Sequence, residues 1–219
     1  MGNTVTVDDP ELVIGLVGPI GVNLDAIAGF LESSLKAVLY ETQVIHITRV
    51  MRDLIPHMEV DEETYGARYR SLIANSDKVR RDVNNQAALA CLAISEIRRL
   101  RQELQPHLDP KEARETPLHR TAFVIRQFKR EEEIALLRQV YGRKFVQISV
   151  FSDQHERRSQ LVRKIKEFGT GTIEDGEAEK EAIDLISIDH NEVDDEYGQR
   201  VSDVFHRGDV FVRGEDNKG

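Results

Sequence analysis

Apolar residues run almost unbroken through Glu11-Leu12-Val13-Ile14-Gly15-Leu16-Val17. A run without alternation suits a central parallel strand that is covered on both faces. Glycines then punctuate a turn at Gly18 and Gly21. Beyond it, Leu24, Ile27, Phe30, Leu31, Leu35 and Val38 recur at spacings of three and four. That is the stripe of an amphipathic helix over residues 24–38. A second apolar stretch, Gln43–Thr48, predicts the next strand, so the first fifty residues read as a βαβ unit.

The same patterns continue along the chain. Residues 49–76 predict short helices and a loop. From Asp77 to about Leu104 the period is helical, with Leu89, Leu92, Ala93, Ile97 and Leu100 as the buried stripe. Pro106, Pro110 and Pro117 mark residues 105–117 as a connector. His119–Arg126 predicts a third strand. Glu131–Tyr141 predicts a helix closed by Gly142 as its C-cap. Phe145–Phe151 is a fourth strand, and residues 155–167 form a basic amphipathic helix. Residues 169–181 read as a loop running into a helix, 197–206 as a further helix, and Asp209–Arg213 as a short last strand. The fold class predicted is α/β, P-loop nucleoside-kinase-like, with about five parallel strands and helices on both faces. Residues 1–10 read as a leader, 11–213 as the domain, and 214–219 as a tail.

Composition narrows the picture. The chain has 219 residues, 32% of them charged, and a formal net charge of −9. That excludes a chain-wide basic footprint for nucleic acid. A single cysteine, Cys91, forbids an internal disulfide and fits the cytoplasm. Its setting in Ala88-Leu89-Ala90-Cys91-Leu92-Ala93 predicts a small buried side chain. No signal peptide and no membrane span are expected.

Candidate chemistry centres on the turn after the first strand. A working phosphate loop reads Gly-x4-Gly-Lys-Ser/Thr, its backbone N–H groups cradling phosphates at a helix N-terminus. Here Gly18 holds the first position. Asn23 replaces the second glycine, Leu24 the lysine and Asp25 the hydroxyl. Asp25 would repel a phosphate unless a metal intervened. Three readings stay open: a tight structural turn, nucleotide binding without transfer, and a kinase with an atypical loop. The third strand runs into Arg126-Gln127-Phe128-Lys129-Arg130 with no acid at its end to manage a metal. Glu131, Glu132 and Glu133 follow at a helix start, where acids suit the helix dipole. Both absences weaken phosphoryl transfer.

The nucleotide-binding candidates are Gly18, Gly21, Val22 and Asn23 of the loop, together with arginines. Arg157 and Arg158 follow the fourth strand, where nucleotide kinases keep lid arginines. Arg80 and Arg81 begin the long predicted helix. Guanidinium groups match phosphate oxygens in two-point geometry. Arg98, Arg99 and Arg101 read as a solvated helix face. The seven histidines form no His-x-Glu, and one cysteine permits no Cys-x2-Cys, so no zinc deaminase site is present in the sequence. Asp189-His190 reads as a surface pair on a loop. No catalytic residue and no metal ligand is assigned.

Several segments, in order, resemble one family. They are Glu11 to Gly21; Asn85-Gln86-Ala87-Ala88-Leu89-Ala90-Cys91-Leu92-Ala93-Ile94 with Ile97-Arg98; Phe128-Lys129-Arg130-Glu131-Glu132-Glu133-Ile134 with Leu137 to Gly142; Glu156-Arg157-Arg158; and Tyr197 to Phe205 with Asp209-Val210-Phe211. The chain resembles the N-terminal kinase-like domain of bacterial anti-phage dCTP deaminases, relatives of deoxycytidylate deaminase. The resemblance implies a regulatory role for this domain and a separate C-terminal zinc deaminase domain that depletes deoxycytidine nucleotides. It also implies a homo-oligomer, and control by a regulatory RNA or a nucleotide. Zinc is expected only in that deaminase domain, and no cofactor in this chain. The competing expectations are a deoxynucleoside monophosphate kinase and an interaction module that binds no nucleotide.

Overall fold

The computed structural model describes residues 9–168, 173–191 and 201–214. Five strands, β1 (Leu12–Val17), β2 (Glu41–His46), β3 (Thr121–Phe128), β4 (Phe145–Phe151) and β5 (Val210–Arg213), form one parallel sheet in the order β2-β3-β1-β4-β5. This is the α/β architecture predicted from the pattern, about five parallel strands with helices on both faces. β1 lies between β3 and β4, with Ile14 opposite Val124 on one side and Val146 on the other. Its unbroken apolar run follows from that position: Val13, Leu16 and Val17 are all fully buried.

Helices cover both faces, unequally. On one face α1 (Leu24–Ala37) lays Leu24 and Ala28 against Ile14, Leu16, Val124, Ile148 and Val150. The other face is deeper. There α2 (Ile47–Leu54), α4 (Ala88–Leu104) and α6 (Glu131–Tyr141) pack Met51, Ala90, Ala93, Ile97, Ile134 and Leu137 onto Val13, Phe123, Ile125, Phe128 and Phe145. A third cluster sits beyond the strand ends. It joins Ile20 of the loop to α7 (Gln154–Glu167) and α8 (Asp175–Asn191) through Leu161, Ile165, Ala178, Ala182 and Leu185. Tyr65 and Tyr69 of α3 (Tyr65–Asp82) pack against it. A short α9 (Val201–Phe205) leads into β5, where Gln147 and Ser149 of β4 donate to the Val204 and Phe205 carbonyls. No helix among the described residues is long and apolar enough to cross a membrane.

The structure corrects several sequence expectations. The long helix predicted from Asp77 to Leu104 is two helices. Asn84 adopts a left-handed φ of 47°, and Asn85 Oδ1 accepts from Ala87 N–H at 2.8 Å. Asparagine tolerates that conformation and turns the chain. The true start of α3 is Thr64, whose hydroxyl accepts from Ala67 N–H at 3.0 Å. The connector contains a helical turn, α5 (Pro110–Glu115), capped by Asp109. Cys91 is exposed, because α4 buries the stripe Ala90, Ala93, Ile97 and Arg101 and turns residue 91 outward. Arg101 is buried rather than solvated, because it forms a two-point pair with Glu11 at 2.5 and 3.0 Å. Arg98 and Arg99 do lie on the solvated face, paired with Glu115, Glu96 and Glu103. Asp189 and His190 lie in α8, not on a loop, and their side chains fall outside the described residues. Residues 1–8 of the leader, 169–172, 192–200 and 215–219 of the tail also fall outside them.

Candidate functional site

From β1 the chain passes over β3 to the edge strand β2, whereas from β3 it passes back over β1 to β4. The direction of winding therefore reverses between β1 and β3. In such sheets the carboxyl ends of the strands at the reversal open a crevice. The Gly18–Asn23 loop leaves β1 here, and Gln127–Arg130 leave β3 beside it. Register between the two strands slips at this point. Leu16 pairs with Arg126 but Val17 pairs with Phe128, so Gln127 is an extra, bulged residue. The bulge changes the phase of the strand. Phe128 joins the core face with Val17, while Arg126 stays with Leu16 on the α1 side, whose α1 residue Asp25 it pairs with.

The loop is closed upon itself. Val22 N–H donates to the Pro19 carbonyl at 3.4 Å, Leu24 N–H to the Val22 carbonyl at 3.0 Å, and Ala26 N–H to Asn23 Oδ1 at 3.1 Å. Three amides of the kind a phosphate cradle uses are thus spent inside the turn. Gly21 has φ 86°, and a Cβ there would stand 2.6 Å from the Arg157 carbonyl oxygen. A side chain at Gly18 would meet the Val150 carbonyl at 3.1 Å. Gly21 answers to a tight turn with α7 pressed on it, and Gly18 to close packing on β4. Leu24, at the lysine position, is 2% exposed and packs into the core beneath α1. Asp25 is not left to repel an anion: its carboxylate pairs with Arg126.

A cavity of about 220 Å³ opens beside this loop. Ile20, Gly21 and Val22 form one side, the ends of β2 and β3 the floor, and α3 the opposite side. Its wall carries Arg68, Arg80, Arg126, Lys129 and Lys164, and among the described residues no Asp or Glu. In a chain of net charge −9 that separation of charge is local and strong. The aromatic contribution is Tyr65 and Tyr69, one turn apart on α3. Neutral polar groups come from His46, Thr48, Ser76 and Gln127. Lys129 is buried and its Nζ donates to the Gly18 carbonyl at 3.2 Å, tying the end of β3 to the loop. Burial, helped by the neighbouring Arg126 charge, holds the His46 pKa below its usual value, so its imidazole is neutral at physiological pH. Arg126 Nη1 lies 3.4 Å from His46 Nδ1. Burial pushes the Tyr65 phenol up.

The predicted site residues divide. Gly21 and Val22 line the cavity, and Gly18 touches it through Lys129. Asn23 caps α1. Arg157 is buried against the loop and its Nε donates to the Ile20 carbonyl at 2.8 Å, so it braces the turn. Arg158 points away and pairs with Glu179 of α8 at 2.6 Å. Arg80 lines the cavity while bound to Glu133 at 2.7 Å and Asp77 at 2.9 Å. Arg81 is exposed and belongs to a separate shallow depression with Arg70, Asp77 and Ile188. Glu133, the third acid of the helix start, is fully buried and accepts from the Lys129 and Arg130 amides at 3.1 and 3.2 Å. It caps α6 and orients the strand end. The residues that sequence reasoning passes over are Arg126, Lys129, Lys164, Arg68, Tyr65 and Tyr69. Their signal is cationic: the third strand ends in Arg126-Gln127-Phe128-Lys129-Arg130, where a search for an acid finds none. Among the described residues no group of three His, Cys, Asp or Glu could hold a metal ion.

No family model matches the chain. No curated protein matches it. Solved structures are similar at low identity. A protein of Eubacterium ventriosum, described as uncharacterized, shares 7% identity at a TM-score of 0.43, over 92% of this chain and 88% of that one. A Silicibacter protein, described as a "putative fructose transport system kinase", shares 13% identity at a TM-score of 0.43, over 93% of this chain and 89% of its own. Similarity at this level carries no argument about what the chain binds.

Proposed function

We propose that this chain is a regulatory nucleotide-binding domain of P-loop kinase descent that performs no phosphoryl transfer. One observation carries the reading: a cavity at the sheet's winding reversal, walled by arginines, lysines and two tyrosines and by no carboxylate among the described residues, in an acidic chain. Phosphate esters of an aromatic base match both halves of that wall. Transfer chemistry has little support, because leucine stands for lysine and the loop amides are used internally. The finer assignment is to the sensing half of an anti-phage deoxycytidine nucleotide deaminase. Its support is the ordered set of family segments, one of which, Phe128 to Glu133, borders the cavity. On that assignment the partners are a zinc deaminase domain, further copies of the chain and a regulatory RNA or nucleotide.

Thermal shift against a panel of deoxynucleotides tests binding. A ligand at about a hundred times its Kd stabilises by about 2.7 kcal/mol. For a domain of this size that raises Tm by roughly 5–10 °C. A panel that leaves Tm unmoved would defeat the reading. Incubation with ATP and deoxynucleoside monophosphates should give no turnover, and steady product would restore the kinase alternative. For the deaminase assignment, the gene should encode His-x-Glu and Pro-Cys-x2-Cys segments downstream or in the adjacent frame. Their absence from both counts against it.

A further inference from the structure

The cationic wall can be resolved into a seat. Arg126 carries the decisive atom. Its Nε is buried and, among the described residues, has no hydrogen-bond partner, although Nη1 of the same guanidinium reaches Asp25 and His46. A buried donor without an acceptor is costly and calls for a partner. Arg126 lines the cavity, and a turn of its guanidinium toward the cavity would present two donors side by side to an anion from solution. The existing pair with Asp25 does not forbid this. Asp25 is 62% exposed, and an ion pair to so exposed a carboxylate is weak. Lys129 follows three residues later, its ammonium set against the Gly18 carbonyl. It brings a positive charge to the phosphate loop from β3, where a working loop brings one from the start of its own helix.

The number of phosphates follows from what the loop has given up. The Val22, Leu24 and Ala26 amides are bonded within the turn, so a second or third phosphate would find a backbone cradle short of three donors. The cavity, at about 220 Å³, lies below the usual range for ligand sites and suits a compact ligand. We propose that Arg126 and Lys129 form the phosphate seat of this cavity and take the single phosphate of a nucleoside monophosphate, its base lying along Tyr65 and Tyr69. The proposal rests on reading the cavity as a nucleotide site, and adds which class of nucleotide it selects and by which side chains.

Titration calorimetry on the whole chain distinguishes the two levels. The ligands are the four deoxynucleoside monophosphates, the matching nucleosides and the matching triphosphates. The proteins are wild type, Arg126→Lys and Lys129→Met. Arg126→Lys keeps a cation but loses the two-point donor. At least one monophosphate should bind wild type about tenfold tighter than both its nucleoside and its triphosphate, the size of one charge-assisted bond. Arg126→Lys should abolish the preference over the nucleoside. Lys129→Met should do the same, provided its unliganded melt matches wild type; if it does not, Arg126→Lys decides. A triphosphate that binds as tightly as the monophosphate, or an Arg126→Lys protein with wild-type affinities, overturns the seat and leaves the nucleotide reading standing. If no ligand of the panel binds, both fall together.

Discussion

Replacing Gly21 by alanine isolates what the loop glycine does. Two costs are predicted, and the structure contains a control for the first. The first is backbone. Gly21 has φ 86°, and a left-handed conformation costs a residue with Cβ about 1–2 kcal/mol. Gly142, with φ 56° and nothing within 4 Å of where a Cβ would stand, carries that cost alone. The second is contact. The new Cβ at position 21 would stand 2.6 Å from the Arg157 carbonyl oxygen and 3.0 Å from Arg157 Cβ. The obstacle is backbone of α7, so relief requires the helix to move, at roughly 1–3 kcal/mol. Gly21→Ala should therefore lose about 2–5 kcal/mol in total. For a domain of this size that lowers Tm by roughly 4–20 °C. Gly142→Ala should lose about 1 kcal/mol, since the stiffer unfolded chain offsets part of the strain. Gly29, inside α1 with nothing within 4 Å, should gain roughly 0.5–1 kcal/mol on the same substitution. Urea denaturation followed by circular dichroism measures all three. A Gly21→Ala protein no less stable than Gly142→Ala would show that α7 does not press on the loop, and would remove the structural account of this glycine.

Three further outcomes are expected. Glu11→Leu strands the buried Arg101 guanidinium and should cost about 3–5 kcal/mol in urea melts, whereas the Glu11→Leu, Arg101→Met double variant should recover most of the loss; equal loss in both would deny the pairing its importance. His46 has a lowered pKa in the fold, chiefly through burial, so the unfolded chain binds its proton first, near pH 6.5. Stability from this group is complete above about pH 7 and is lost as pH falls through 6.5 toward the folded value; His46→Gln should flatten that part of the profile, and an unchanged slope would exclude the histidine. Burial pushes the Tyr141 phenol up to about 12. Its stabilising effect is therefore full below pH 10 and lost as pH rises toward 12, and an ultraviolet titration should lose its last ionising phenol in Tyr141→Phe; loss of an earlier step instead would place Tyr141 in solvent.

What is legible in the sequence follows the strength of each physical constraint. A strand buried on both faces needs no alternation, so the run ending at Val17 locates β1 to within a residue. Phe145–Phe151 is equally plain. β3 starts and ends two residues later than the pattern predicts; its end is hidden because it contains a bulge, and a period of two cannot register an extra residue. The break between α3 and α4 is hidden by apolar spacing that happens to continue through Asn84 and Asn85. Cys91 faces outward against expectation because the first turns of α4, from Ala88 to Ile94, are apolar all round and do not announce which side faces the core. At the site, the glycines and the missing lysine can be read from the order of residues alone. The cavity cannot, because its wall is assembled from β2, β3, α3 and α7, which lie far apart in sequence. Arg126 stands 80 residues from His46 and 101 from Asp25, yet it reaches both.

Two properties that a phosphate site normally combines are separated in this fold. Attraction of an anion requires positive charge near a cavity, at no fixed geometry. Transfer of a phosphoryl group requires donors placed to fractions of an ångström around the moving charge. The loop lacks the second property, and single substitutions do not supply it. Leu24 is packed at 2% exposure among Val22, Ala28 and the sheet, so the lysine position belongs to the core. The neighbouring amides are bonded within the turn, and α7 is pressed on it through Arg157. On the proposed seat the first property is supplied one strand over, by Arg126 and Lys129, where a bulge and the buried Glu133 cap set the direction of the chain. Lys129 and Arg157 then hold the loop from opposite sides, through the Gly18 and Ile20 carbonyls. Lys164 stands two turns along the helix from Arg157 and reaches the same cavity wall. A ligand that engages the wall therefore acts on β3, α3 and α7 together, and α7 is the element that packs on α8. On the proposed function, the output of such a domain is a change of packing rather than a product.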